Sequence, residues 1–329
     1  MRAFEIQTFG LDGLKLVDLP APPPVKPTEV LVQIKAASLN FRDLMMAKGE
    51  YNPKQPLPLI PLSDGAGEVI AIGSEVTEFQ VGDRVAGIVV QEWLSGHPLK
   101  AFTKTTLGGP LNGMLCEKRL FPESGLVKIP EHLSFEEAAA LPCAALTAWR
   151  SLFVDYTMKP GERVLLQGTG GVSLFALQLA KLEGAHVTII SSSDDKLAKA
   201  KELGADACIN YKTTPEWSRG VQVDLILELG GAATLAQSIK AIRPGGQINL
   251  IGRLGGGKTE IDLVPIFMRN VRLQGIFVGS REDFRAMNNA FNLHKIHPVI
   301  DRVFPFEQSV EAFKYLESAQ HMGKVVIKL

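Results

Sequence analysis

Between residues 163 and 278, short apolar runs recur about every 20 positions, at 164–167, 187–190, 207–209, 225–227, 248–251 and 273–278. Most of the gaps hold amphipathic segments of helical period, among them SLFALQLAKLEGA, DDKLAKAKELGA and ATLAQSIKAIRPGG. A strand that is apolar without alternation is buried on both faces, and strands linked by helical crossovers run parallel. Six such strands predict a doubly wound, nucleotide-binding parallel sheet, assigned to residues 126–277. Residues 1–125 have a different texture, with runs such as EVLVQIKAAS and GEVIAIG separated by Pro and Gly clusters. They predict a mostly β domain, completed by 278–329 with its closing strand KVVIKL. Ser134 and Glu137 have capping-box spacing ahead of AAALPCAALTAW, a helix that Pro142 should bend or interrupt.

The glycine pattern Gly168-Thr169-Gly170-Gly171-Val172-Ser173 follows the first strand of the alternating half and opens its first helix. A tight glycine turn lets the backbone approach a pyrophosphate, and the helix N-terminus offers that anion unpaired N–H groups. Ser173 stands where the usual third glycine would be, and the alternative reading is a tight turn without ligand. The second strand should end near the adenosine ribose, where an acidic residue would bind a free 2′-hydroxyl. Here it ends in Ser191-Ser192-Ser193, and Asp194 and Asp195 belong to the next helix start. Hydroxyls with Lys196 one turn on suit a 2′-phosphate, so NADP is preferred over NAD, although Lys196 also reads as an ordinary solvated helix lysine.

Composition excludes several classes. With 46% hydrophobic and 21% charged residues the chain is globular rather than disordered. Thirty-five basic against 35 acidic residues leave no field to attract nucleic acid or an anionic membrane. Three scattered cysteines, Cys116, Cys143 and Cys208, form no disulfide framework and suit a cytoplasmic location. The uncharged run 164–180 is interrupted by glycines and reads as strand, turn and helix rather than a membrane span.

The chain resembles the zinc-independent, quinone-oxidoreductase-like branch of the medium-chain dehydrogenase/reductase superfamily. The segments that carry the likeness are AASLNFRDLMMAKGEY (36–51), PLIPLSDGAGEV (58–69), VGDRVAG (81–87), LPCAALTAW (141–149), GTGGVS (168–173) and the terminal GKVVIKL. The resemblance implies a GroES-like catalytic domain from the two ends of the chain and a Rossmann domain between them. It also implies that Lys196 and Tyr211 contact the 2′-phosphate. By the same matching Thr147, Gly170, Gly171, Val172, Gly252, Phe277 and Val278 line the pyrophosphate and nicotinamide, although Phe277 and Val278 also read as core.

Zinc-dependent relatives use a cysteine, a histidine-glutamate pair and a second cysteine; the resemblance puts Asn40, Ser63-Asp64 and Cys143 at those places. That set lacks the three or four good ligands a zinc ion needs, so a metal-free enzyme is expected. Cys143 reads as a small buried hydrophobe, and His294 and His297 as structural. Without a Lewis acid, an acceptor that spreads charge through a conjugated system is the less demanding substrate. Asn40 is suited to hydrogen-bond a substrate oxygen or the nicotinamide ribose, Asp43 to orient the NFRD segment, and Tyr51 is a candidate donor. The leading expectation is an NADPH-dependent reductase of quinones or other α,β-unsaturated carbonyls. The alternatives are a zinc-free alcohol dehydrogenase or aldehyde reductase, and a low-turnover NADPH-binding protein. An apolar edge strand at 273–278 needs cover, which predicts a homodimer.

Overall fold

The computed structural model describes residues 1–98 and 103–329. The chain divides into two compact units, Met1–Leu146 with Gly279–Leu329, and Thr147–Val278. The first division point is displaced from the sequence reading, which began the second domain at residue 126. The reason is pairing: strand β7 (Leu126–Lys128) bonds β5 (Arg84–Gly87), and helix α2 (Phe135–Ala139) packs on β3 (Glu29–Leu39) and β4 (Asp64–Ile72), so 126–146 belongs to the first unit.

In that first unit β1 (Arg2–Ile6) and β2 (Leu14–Asp18) form a separate antiparallel pair. The main sheet runs β14 (Ile300–Pro305), β15 (Lys324–Lys328), β3, β4, β5, β7, with β6 (Lys118–Pro122) also on β3. Helix α1 (Phe41–Ala47) follows β3 directly, and α8 (Arg281–His294) and α9 (Ser309–Glu317) complete the unit. The core joins Val30, Val32, Ile34, Val69, Val85, Phe121, Phe313, Val325 and Ile327. Two registers place the candidate site. Ser38 of β3 faces both Asp64, the first residue of β4, and Val326 of β15. Directly opposite residues share a face and alternate residues return to it, so Asn40, Asp64 and Lys324 gather at one end of one sheet face.

The second unit is a six-stranded parallel sheet in the order β10, β9, β8, β11, β12, β13. Its strands are β8 (Arg163–Gln167), β9 (His186–Ser191), β10 (Ala207–Asn210), β11 (Val223–Glu228), β12 (Ile242–Leu250) and β13 (Arg272–Gly275). Helices α3 (Leu146–Trp149), α4 (Gly171–Leu182), α5 (Asp194–Glu202), α6 (Leu235–Ala241) and α7 (Val264–Met268) accompany them. This is the doubly wound order, with the strand sequence reversing between β8 and β11. Two segments differ from the sequence reading. Residues 242–246, read as helix, begin β12, because Pro244 and two glycines cannot prolong α6. The last strand stops at Gly275, leaving Phe277 and Val278 beyond it. Near Pro142 the backbone widens into π-type turns over Leu141–Ala145.

Candidate functional site

The glycine turn of the second unit is an open cradle. Gly168 has φ +75°, a left-handed conformation that favours glycine, and a Cβ built on Gly168 or Gly170 meets no atom within 4 Å. Gly170 precedes the 12-residue helix α4, whose N-terminus has no side-chain cap. Gly168 and Gly170 therefore leave open space at the uncapped N-terminus of α4, where the backbone N–H groups of a helix start suit an anion. The Ser173 hydroxyl donates to Gln167 O at 2.7 Å, tying the helix to β8. That bond explains why a serine serves where a third glycine was expected.

A buried network holds the turn from beneath. The Glu228 carboxylate, fully buried at the end of β11, accepts from Gln167 Nε2 at 2.8 Å and from the N–H groups of Gly230 and Gly231 at 3.0 Å. The Thr234 and Ser238 hydroxyls also donate to it. Gln167 Oε1 in turn accepts from Leu229 and Gly230 N–H. The strand ends on either side of the reversal are thus locked together by charge-assisted bonds. Gly252 bonds the same region, donating its N–H to Glu228 O at 3.1 Å.

At the ends of the second and third strands, Tyr211 N donates to Ser191 O at 3.0 Å. Ser193, rather than Ser192, caps α5, accepting from Lys196 N at 3.4 Å. Asp194 accepts from Asn210 Nδ2 at 2.8 Å, so its carboxylate is engaged beside the strand end. The half-exposed Tyr211 ring, Ser192 and Lys196 lie on this stretch. Thr147 is buried in α3 and Val278 is buried, while Phe277 is partly exposed.

In the first unit a second, side-chain-built site forms at the sheet end. Asn40 caps α1, and its N–H donates to Asp43 Oδ2 at 2.9 Å. Asp43 is buried and pairs with Arg42 at 3.0 Å; burial, opposed by Arg42, lifts its carboxyl to about 6. Arg42 also donates to Leu107 O and Gly109 O, and its guanidinium lies over the Tyr51 ring at 5.2 Å. Asn40, Asp43 and Tyr51, expected from sequence, are therefore joined through Arg42, which sequence reasoning had not singled out.

The remaining partners come from far along the chain. Lys324, 3% exposed, donates from Nζ to Leu39 O at 2.7 Å and to Asn40 Oδ1 at 2.6 Å, and lies 3.9 Å from Asp64 Oδ2. Asp64 accepts from Ser63 Oγ at 2.7 Å and from Cys143 N at 3.1 Å; the wide turns over Leu141–Ala145 turn that N–H toward it. Burial, with Asp64 adding to it, pushes the Cys143 thiol up to about 12. Cys143 as a whole residue is half-buried, while its thiol is desolvated by its surroundings. His297 likewise has a carboxylate partner unseen in sequence, Glu137 at 2.6 Å. Lys324 was missed too; its only signal was a cation immediately ahead of the apolar run 325–327.

These residues do not suit a zinc ion. An amide, a hydroxyl, one carboxylate already bound by two donors and a thiol held neutral are poor ligands, and an ammonium lies among them. Among the described residues no group of three or more His, Cys, Asp or Glu is placed to hold a metal.

Comparison with known proteins agrees with both units. Residues 26–131 match the alcohol dehydrogenase GroES-like domain and 171–292 match the zinc-binding dehydrogenase domain. A zinc-type alcohol dehydrogenase-like protein of Schizosaccharomyces pombe is 45% identical over 97% of this chain and 96% of its own. The 2-methylene-furan-3-one reductase of Solanum lycopersicum is 33% identical over 99% of this chain and 79% of its own. A solved Sinorhizobium meliloti structure, described as an alcohol dehydrogenase, superposes with a TM-score of 0.93 at 37% identity, covering 100% of this chain and 98% of that one.

Proposed function

Since the chain belongs to the medium-chain dehydrogenase/reductase superfamily and is an NAD(P)-dependent oxidoreductase, we propose that it reduces a quinone or other α,β-unsaturated carbonyl with NADPH, without a catalytic zinc. When bound, NADPH supplies the hydride. Thr169 to Val172 would hold its pyrophosphate by backbone N–H groups, and Ser192, Lys196 and Tyr211 its 2′-phosphate. Thr147, Gly252, Phe277 and Val278 would line the nicotinamide end. The observation that carries the reading is the Asn40–Asp64–Lys324 cluster, where positive charge comes from a buried ammonium and not from a set of metal ligands. A conjugated acceptor delocalises the incoming charge, so hydrogen bonding and alignment suffice where an isolated alkoxide would need more. The named substrate of the tomato relative, a methylene-furanone, is of this conjugated class.

The test is NADPH consumption by chelator-treated protein, with a simple quinone, an enone and an aldehyde in parallel. Turnover of quinone or enone, unaffected by chelator, is expected. Silence with all three, relieved for the aldehyde by added zinc, would overturn the reading in favour of alcohol dehydrogenase chemistry, for which the names of the yeast and bacterial relatives speak. NADPH binding without consumption of any acceptor would instead favour a low-turnover binding protein.

The same proposal includes a cytoplasmic homodimer formed at the sheet edge. β13 ends the sheet, and Leu263, Val264, Phe267 and Met268 on and beside α7 are 53–70% exposed. The edge strand itself, Arg272, Leu273, Gln274 and Gly275, is mostly polar, a correction to the apolar edge expected over 273–278; the exposed apolar side chains on and beside α7 are the surface that pairing with a second copy would cover. No helix among the described residues is long and apolar enough to cross a membrane.

A further inference from the structure

The Asn40 side chain has one end occupied and one end without a partner. Its Oδ1 receives the Lys324 ammonium at 2.6 Å, while Nδ2 is screened from solvent and has no hydrogen-bond partner among the described residues. A lysine ammonium can only donate, so its contact decides which end of the amide is oxygen and which is nitrogen. The remaining Lys324 contacts, Leu39 O and Asp64 Oδ2, keep the ammonium in place from two other strands. Donation into the amide oxygen also polarises the amide, which strengthens its N–H groups as donors.

We propose that Lys324 is a positioning residue for hydride transfer. It turns the Asn40 amide nitrogen toward the carbonyl oxygen of the acceptor and strengthens that donor as negative charge develops on the oxygen. The inference rests on the reading that the substrate is a conjugated carbonyl. For an enone, the C4–H bond of the dihydronicotinamide breaks and a C–H bond forms at the β carbon. NADPH becomes NADP⁺, the acceptor becomes an enolate whose oxygen is held by Asn40, and water then protonates its α carbon. Asn40 is the catalytic residue in this step, and Lys324 acts through it.

The test is a cycle of variants assayed with the best acceptor from the metal-free screen. Asn40→Asp keeps an oxygen for Lys324 and replaces the nitrogen donor with a second carboxylate oxygen, which repels charge on the acceptor; kcat is expected to fall about a hundredfold with NADPH affinity little changed. Lys324→Met alone strands Asp64, so it is paired with Asp64→Asn, and folding is checked by circular dichroism and NADPH binding. That double variant should lower kcat about tenfold in the wild-type background and leave it unchanged in an Asn40→Ala background, and Lys324→Arg should restore part of the loss. An equal loss in both backgrounds would show that Lys324 serves stability only and would overturn the inference. A rise in the NADPH dissociation constant on Asn40→Asp at constant kcat would also overturn it, by placing the Asn40 donor on the ribose. Absence of wild-type turnover with every conjugated acceptor would overturn the functional reading and this inference together, whereas wild-type turnover with additive losses overturns this inference alone.

Discussion

The glycine turn of the second unit and the polar cluster of the first solve opposite problems. The turn presents backbone to an open space, with no side chain at Gly168 or Gly170 and no cap on α4. The cluster packs Asp43, Asp64 and Lys324 out of water and satisfies them with one another and with neighbouring amides. A backbone site leaves stability to the strands around it, so it can be altered without unfolding the chain. A buried charge cluster carries stability and chemistry in the same bonds, because each ion left without its partner is costly. The difference is open to measurement, and each of the following changes tests one side of it.

The largest effect is expected in the cluster. Lys324→Ala should lower the unfolding free energy by about 3–5 kcal/mol, since Asp64 is left buried without its cation. Urea denaturation would read this directly, and a loss below about 1 kcal/mol would show that the cluster is not structural.

The next effect is a pH dependence. Burial raises the Asp43 carboxyl from 3.8 to about 6, so the folded state holds this proton more tightly than the unfolded one. The fold therefore favours the protonated form more than the unfolded chain does. The contribution of Asp43 is therefore most favourable below about 4 and is lost as pH rises through about 6, by about 3 kcal/mol at about 1.4 kcal/mol per pH unit. Stability measured from pH 4 to 7 in wild type and Asp43→Asn should differ in slope over that window, and parallel curves would remove Asp43 as the source.

On the other side of the comparison, Gly170→Val should weaken NADPH binding by about a hundredfold, since its side chain fills the space a pyrophosphate needs at the N-terminus of α4. The backbone there is extended, with φ −80°, and a Cβ meets nothing, so the melting temperature should stay within about 2 °C of wild type. Fluorescence titration and thermal melting on one sample separate the two outcomes, and equal losses in both would erase the distinction between the sites. The smallest effect is Lys196→Ala, expected on the proposed pairing with the 2′-phosphate to weaken NADPH binding about tenfold and NADH binding hardly at all. Equal weakening of both nucleotides would make Lys196 a structural residue.

Legibility in the sequence followed the range of the forces involved. Apolar runs, helical periods, the glycine turn and the Ser134–Glu137 capping box depend on neighbours a few residues apart, and each stands close to where its pattern placed it. One error was a local conflict, Pro244 and its glycines ending α6 early; the other was long-range, 126–146 joining the first unit because β7 found its partner in β5, far earlier in the chain. In the candidate site Asn40, Asp43 and Tyr51 were nameable because they lie on one continuous segment of 12 residues, 40–51. Arg42 lay within that segment but gave no sign that its guanidinium would join Asp43 to the Tyr51 ring.

The sequence alone determined the alternation of strands and helices and the glycine turn at Gly168–Gly170. Only the tertiary structure decided that Lys324 meets Asn40 and Asp64. That meeting depends on β15 pairing with β3 at the register Val325 to Leu39, and on β4 pairing with β3 at Asp64 to Ser38. A shift of one residue in either register would turn the side chains to the opposite face. Register is set by the summed burial of whole strands rather than by the residues it brings together, which is why so short-range a contact could not be read from the positions 40, 64 and 324 themselves.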